Sequence, residues 1–193
     1  MTGAAKSIDA AFAEIARNFE ALRPLAPKVA EAGALWIASV KAGGKILFCG
    51  NGGSAADAQH FAAEFVCKFK RERPGYEAIA LTANTSVLTA WSNDYDFKDV
   101  FAREVEALGR AGDVFVGIST SGNSENVIRA ITKAKGIGLT TVAILGHDGG
   151  RTKGVADIEI VVPSNNTPRI QEAQMFILHA IAEEVEALLA GQN

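Results

Sequence analysis

Residues 113–119 read DVFVGIS and lead without a break into TSGNS at 120–124. The first segment is short, aromatic and β-branched, and apolar at successive positions. That is the pattern of a strand covered on both faces rather than one with a wet side. The second places four hydroxyl residues, Ser119, Thr120, Ser121 and Ser124, around Gly122. A helical pattern over 125–135 follows. The order strand, polar glycine turn, helix then recurs along the chain. KILFCG (45–50) ends in GNGGS (50–54), and helical spacing runs over 55–69. EAIAL (77–81), TTVAILG (140–146) and DIEIVV (157–162) complete a set of five strands. A polar bend holds Asn93 and Asp94, and 97–108 reads as helix. Two amphipathic patterns open the chain, over 3–22 and 25–42, broken at Pro24. One long helix closes it over 167–189, with Pro168 in its first turn. Short apolar strands alternating with helices predict an α/β fold with a parallel sheet covered on both sides. Such sheets bind ligands at the carboxyl ends of their strands, which directs attention to the loops 50–54, 82–94, 119–124 and 146–150.

The composition agrees. A chain of 193 residues, 48% hydrophobic, suits one domain or at most two small ones, and can bury a core without staples. Lys and Arg number 19 against 22 Asp and Glu, a net charge of -3 that argues against nucleic-acid binding by bulk charge. No apolar run reaches the roughly 20 residues needed to span a bilayer, so no membrane role is expected. Two cysteines, Cys49 and Cys67, make no disulfide framework. The first 24 residues lack an apolar signal core, and Asp9, Glu14 and Glu20 interrupt the basic face of a transit peptide. A cytoplasmic protein is expected.

The motifs point to a phosphate and a polar cluster. Backbone amides and the positive end of a helix dipole at 119–124 attract an anion, and the hydroxyls add donors. The loop contains no Lys or Arg, and the chain has no Walker pattern, which favours a phosphomonoester over a nucleoside triphosphate. Asn51, Gly52, Gly53 and Ser54 form a second strand-to-helix loop opening toward the same sheet edge, where glycine allows close backbone approach. It lacks dinucleotide spacing, and a plain turn and cap explains it equally. His60 and Glu64 stand four apart on one helix face and can reach one metal or one substrate. Gln171 and His179 are eight apart, roughly 80° of rotation and about 12 Å of rise, so spacing does not make them co-ligands. His179 lies in an apolar run, where a core histidine is the common outcome. His147 in GHDGG reads as a loop residue. Glu183, Glu184 and Glu186 read as a solvated face, and Lys68, Lys70, Arg71 and Arg73 as a surface cluster before a substrate-steering one.

Taken together, CGNGGSAADAQHFAAEF, RPGYEAIAL, SNDYDF, GDVFVGISTSGNSENV, DGG and TPRIQEAQMFILH resemble the sugar-isomerase (SIS) domain family, over about residues 40–190 and in order. Within it they are similar to the members that isomerise sedoheptulose 7-phosphate. The resemblance implies a three-layer αβα sandwich around a five-stranded parallel sheet. It makes residues 1–193 a single domain with residues 1–42 as an N-terminal helical extension. It implies a homotetramer with active sites at subunit interfaces. The implied reaction converts sedoheptulose 7-phosphate to D-glycero-D-manno-heptose 7-phosphate through an enediol(ate), the first step toward nucleotide-activated heptose for lipopolysaccharide core. One Zn²⁺ per site is expected on His60, Glu64, Gln171 and His179. Substrate contacts are expected from Asn51, Gly52, Gly53, Ser54, Asn93, Asp94, Ser119, Thr120, Ser121 and Ser124, with Glu64 and Gln171. Glu64 and His179 are the expected acid–base pair. Some members carry Asp just before the Arg-Ile-Gln-Glu run. Here Pro168 occupies that place, and no role of that carboxylate carries over. The alternative is a non-catalytic phosphosugar-binding relative that associates with the replication initiator. Such relatives lose the equivalents of Glu64 and His179, which this chain keeps. A transcription regulator of the family would need an added helix-turn-helix domain.

Overall fold

The computed structural model describes residues 2–190. Two helices, α1 (Gly3–Leu22) and α2 (Ala26–Lys41), are joined by a 3-10 turn over Arg23–Leu25 that carries Pro24. Then follow β1 (Ile46–Cys49), α3 (Gly53–Val66), β2 (Ala78–Ala80), α4 (Thr85–Asp94) and α5 (Val100–Leu108). The chain continues with β3 (Val114–Ser119), α6 (Glu125–Gly136), β4 (Thr140–Leu145), β5 (Ile158–Val161) and α7 (Thr167–Ala190). All five strands are parallel, in the order β2-β1-β3-β4-β5. The expected three-layer α/β sandwich is therefore present.

Alternate residues of each strand feed different cores. Ile46, Phe48, Val114, Val116 and Ile118 point to one face, with Trp36 of α2, Phe61 and Phe65 of α3, and Ile177 and Ile181 of α7. Leu47, Cys49, Phe115 and Leu145 point to the other, with Phe101 and Val105 of α5 and Val127 and Ile131 of α6. Trp36 anchors the first core, its indole edge-on to Phe48 at 5.5 Å and to Phe65 at 5.4 Å. The central strands β1 and β3 are buried along their whole length, as their continuous apolar runs require.

The strand order sets the site's place. From β1 the chain moves outward to β2, then returns past β1 to β3. Helix α3 consequently leaves β1 on one face, and α6 leaves β3 on the other. A crevice opens between their first turns, at the point where the order reverses.

Two boundaries differ from the sequence reading. The bend expected around Asn93 and Asp94 is the last turn of α4, whose start is fixed by the Asn84 side chain accepting from the Val87 amide. The helix expected to reach residue 69 stops at Val66, because the Arg73 guanidinium donates to the carbonyls of Glu64 and Phe65 at its end.

The α4–α5 layer holds a buried acid. Glu104 is 5% exposed, its Oε2 has no partner, and burial pushes its carboxyl up to about 7. Between the ordinary carboxylate range and that value the folded chain holds a proton that the unfolded chain has released. Stability therefore falls as pH rises through this window. Glu104→Gln keeps the shape and removes the charge. It is expected to raise Tm at about pH 8 and to leave it nearly unchanged at about pH 4.5. Equal shifts at both pH values in thermal unfolding would contradict this.

Candidate active site

Helices α3 and α7 lie side by side on the same sheet face, and two contacts mark their seam, with a third inside α3. At the start of α3, any Cβ on Gly53 would collide with the Gln171 side-chain amide. Seven residues on, His60 Nε2 lies 3.2 Å from His179 Nε2. Glu64 Oε1 is 3.1 Å from His60 Nε2. The ligand atoms of His60, Glu64 and His179 all fall within 4.8 Å of one another. Adjacent helices thus bring His179 to the His60–Glu64 face, an approach that spacing along the chain did not show.

The surroundings of His179 fix its ring. Phe61 meets it edge-on at 4.9 Å, and Phe69 lies nearly parallel to it, with centroids 5.5 Å apart and planes at 25°. Burial, and next the neighbouring His60, push the His179 imidazole below its ordinary range, while Glu64 pulls the other way. One turn before His60, Asp57 is 6% exposed with Oδ2 unpartnered, and burial raises its carboxyl against the opposing pull of His60. At most one proton can sit between the two facing imidazole nitrogens. Two imidazoles and a carboxyl group converging on one point make a donor set that suits a divalent cation, zinc in particular.

The other half of the site is the loop pair after β1 and β3. Gly52 adopts φ +56°, ψ −121°, a backbone region closed to other residues, and turns the chain into α3. Asn51 and Asn126 exchange two amide hydrogen bonds of 2.9 Å each, tying the two loops together across the crevice. Ser119 Oγ contacts Ser124 Oγ at 3.0 Å and accepts from the Gly122 amide at 3.1 Å. The Asn123 amide donates to Ser121 Oγ at 3.1 Å. Ser124 precedes α6 without capping it, so no side chain of the cap occupies the first turn of that helix. Beneath lies the GHDGG segment. Thr152 donates its hydroxyl to the Gly122 carbonyl, and any Cβ on Gly122, itself at φ +65°, would meet the Gly149 carbonyl.

The expected residues divide accordingly. His60, Glu64 and His179 form one cluster. Gln171 lies on the same helix pair, but its amide rests at the Gly53 end, about two helical turns away. Asn51 and Gly52, with Gly53 and the buried Ser54 in the first turn of α3, form one group, and Ser119, Thr120, Ser121 and Ser124 the other. Asn93 and Asp94 end α4 exposed, and Asn93 donates to Asp94 at 2.8 Å rather than to any other of these residues. Sequence reasoning missed Asn126, although an asparagine directly after STSGNS and Glu125 was open to view. It also misplaced Glu186 and Arg73. The Glu186 side chain is buried rather than on a solvated face, and that of Arg73 is buried rather than in a surface cluster.

The model of the SIS domain family matches residues 11–146. His60 and Glu64 lie within that span, Gln171 and His179 beyond it. A protein named phosphoheptose isomerase from Clostridium acetobutylicum is 56% identical over 157 residues, covering 81% of this chain and 80% of the relative. One of the same name from Akkermansia muciniphila is 48% identical over 177 residues, covering 92% and 94%. Among solved structures, phosphoheptose isomerase GmhA from Neisseria gonorrhoeae is 44% identical, with TM-score 0.89 over 94% of this chain and 98% of that one. A phosphoheptose isomerase from Francisella tularensis is 36% identical, with TM-score 0.92 over 97% and 100%. The αβα sandwich, the glycine loops at its sheet edge and these likenesses together make the chain a member of the SIS-domain family, on its phosphoheptose isomerase branch.

Proposed function

We propose that the chain isomerises sedoheptulose 7-phosphate to D-glycero-D-manno-heptose 7-phosphate at the α3–α7 seam. The observation that carries this reading is the convergence of His60, Glu64 and His179 within 4.8 Å. Aldose–ketose isomerisation moves a proton between adjacent carbons through an enediol(ate), and needs a base, an acid and a stabiliser of the oxyanion. Glu64 turns Oε1 toward His60, which leaves Oε2 to take the proton from carbon. His179, half-buried and of reduced basicity, exchanges the proton at the oxygen. The hydroxyls of Ser119, Thr120, Ser121 and Ser124, with the first turn of α6, hold the phosphate away from the chemistry and supply orientation. Asn51 and Gln171 border the sugar between the two halves. A divalent cation, expected to be Zn²⁺, would be held by His60, Glu64 and His179, with Gln171 as the fourth donor the resemblance implies, and would supply polarisation of the carbonyl.

The reading extends to a homotetramer that completes the site with Asn93 and Asp94. Supporting it, an apolar groove of about 800 Å³ runs between α1, α2 and α7, lined by Phe19, Leu22, Val29 and Phe176. Phe176 in its lining is 51% exposed, and Phe12, also on α1, is 68% exposed. Cys49 and Cys67 are both free thiols, in keeping with a cytoplasmic enzyme. No helix among the described residues is long and apolar enough to cross a membrane. No observation favours the non-catalytic binding protein.

Product analysis after incubation with sedoheptulose 7-phosphate tests the reading. Glu64→Gln and His179→Gln are each expected to lower kcat by about 10²-fold or more. Light scattering should find both variants at the native mass, about four times the 20.2 kDa protomer. Native turnover in either variant removes that residue from the mechanism. Stripping divalent cations with a chelator is expected to lower activity, and added Zn²⁺ to restore it. Full activity in metal-free protein, verified by elemental analysis, would remove the ion.

A further inference from the structure

The three glutamates near the end of α7 do not share one environment. Glu186 is 2% exposed and fully engaged. Its Oε1 accepts from the Phe69 amide at 2.9 Å and Arg73 Nε at 3.0 Å. Its Oε2 accepts from the amides of Lys70 at 2.7 Å and Arg71 at 3.0 Å. Arg73, with 3% of its side chain exposed, spends its remaining donors on the end of α3. It reaches the carbonyl of Glu64 at 2.7 Å and that of Phe65 at 2.9 Å. Its guanidinium stacks on Tyr76 at 4.1 Å. A buried ion pair is weak support for stability, because desolvation offsets its attraction. What this pair does supply is geometry, since a planar guanidinium fork and a saturated carboxylate each permit one arrangement.

That arrangement ends at the reacting groups on both sides. The Arg73 fork grips the backbone of Glu64 itself. The Glu186 carboxylate curls residues 69–71 into a strap, and the strap lays Phe69 on the face of the His179 imidazole. Lys70 ties the strap's outer side to Glu183 at 2.7 Å. We infer that Arg73, Glu186 and Phe69 are positioning residues of the isomerisation. Through them one buried ion pair sets the Glu64 backbone and the His179 ring relative to each other. This rests on the reading of Glu64 and His179 as the proton-transfer groups.

The test uses the metal-loaded enzyme with sedoheptulose 7-phosphate. Phe69→Leu is expected to lower kcat about tenfold with KM within about twofold, because the ring loses its aligned face while phosphate binding is untouched. Phe69→Tyr restores the flat face and is expected to keep kcat within about twofold of the native value. In Glu186→Gln, the amides of Phe69, Lys70 and Arg71 are expected to exchange with solvent at least about tenfold faster, with a matching fall in kcat. If Glu186→Gln does not fold, the two Phe69 variants decide alone. Native kcat in Phe69→Leu overturns the inference while leaving the isomerase reading intact, and so does faster exchange in Glu186→Gln without loss of kcat. Absence of isomerisation by the native enzyme overturns the reading beneath it instead.

Discussion

The seating of α3 against α7 is the constraint on which the rest of the molecule depends. Both helices bury an apolar stripe on the same face of the sheet, Ala58, Phe61 and Phe65 from one and Ile170, Ile177, Ile181 and Val185 from the other. Each of those side chains fixes a rotation about its own helix axis. With both rotations set, the polar residues left at the seam have no freedom to be elsewhere. His60 and Glu64 must face His179, and Gly53 must lie against Gln171. The His60–Glu64–His179 cluster is thus a by-product of core packing, which is the most rigid support a protein offers.

The loops after β1 and β3 obey a different rule. They are not packed as a core but locked by hydrogen bonds between backbones and short polar side chains. The Asn51–Asn126 pair bridges the crevice, and the Gly122–Thr152 contact seats the hydroxyl loop on the segment beneath it. These bonds are local and directional, so they hold the hydroxyls and amides pre-aimed without a charged side chain in the loop. Such a loop suits a dianion whose position must be fixed while the sugar's other end reacts. The division is physical: the loops rely on directional polar contacts, while α3 and α7 are seated by apolar side chains.

Most of this fold was legible in the sequence. Five apolar runs separated by glycine turns and helical spacing admit few arrangements other than a covered parallel sheet, and the strand limits agree with the structure within a residue or two. The hydroxyl loop was legible for the same reason, since its residues are contiguous. The His60–Glu64–His179 cluster was half legible. His60 and Glu64 share a helix face by spacing, but their meeting with His179 depends on the relative rotation of two helices, which periodicity does not encode. Only the likeness to a known family brought it forward. The inside-out reading of Glu186 and Arg73 has the same origin. Charge type predicts a solvated face, and the exception arises because each finds its partner 113 residues away in the chain. Asn84 shows the small-scale version, where one capping side chain turned an expected bend into a helix.

The central claim is that one helix seam gathers two imidazoles and a carboxylate around a single divalent ion. X-ray absorption at the zinc edge, on protein reconstituted with one equivalent of Zn²⁺, reads that first shell directly. The account predicts nitrogen and oxygen neighbours only, with the outer-shell scattering of two imidazole rings, and loss of one ring's signal in His179→Gln. A spectrum without imidazole scattering, or one unchanged by that substitution, would contradict it.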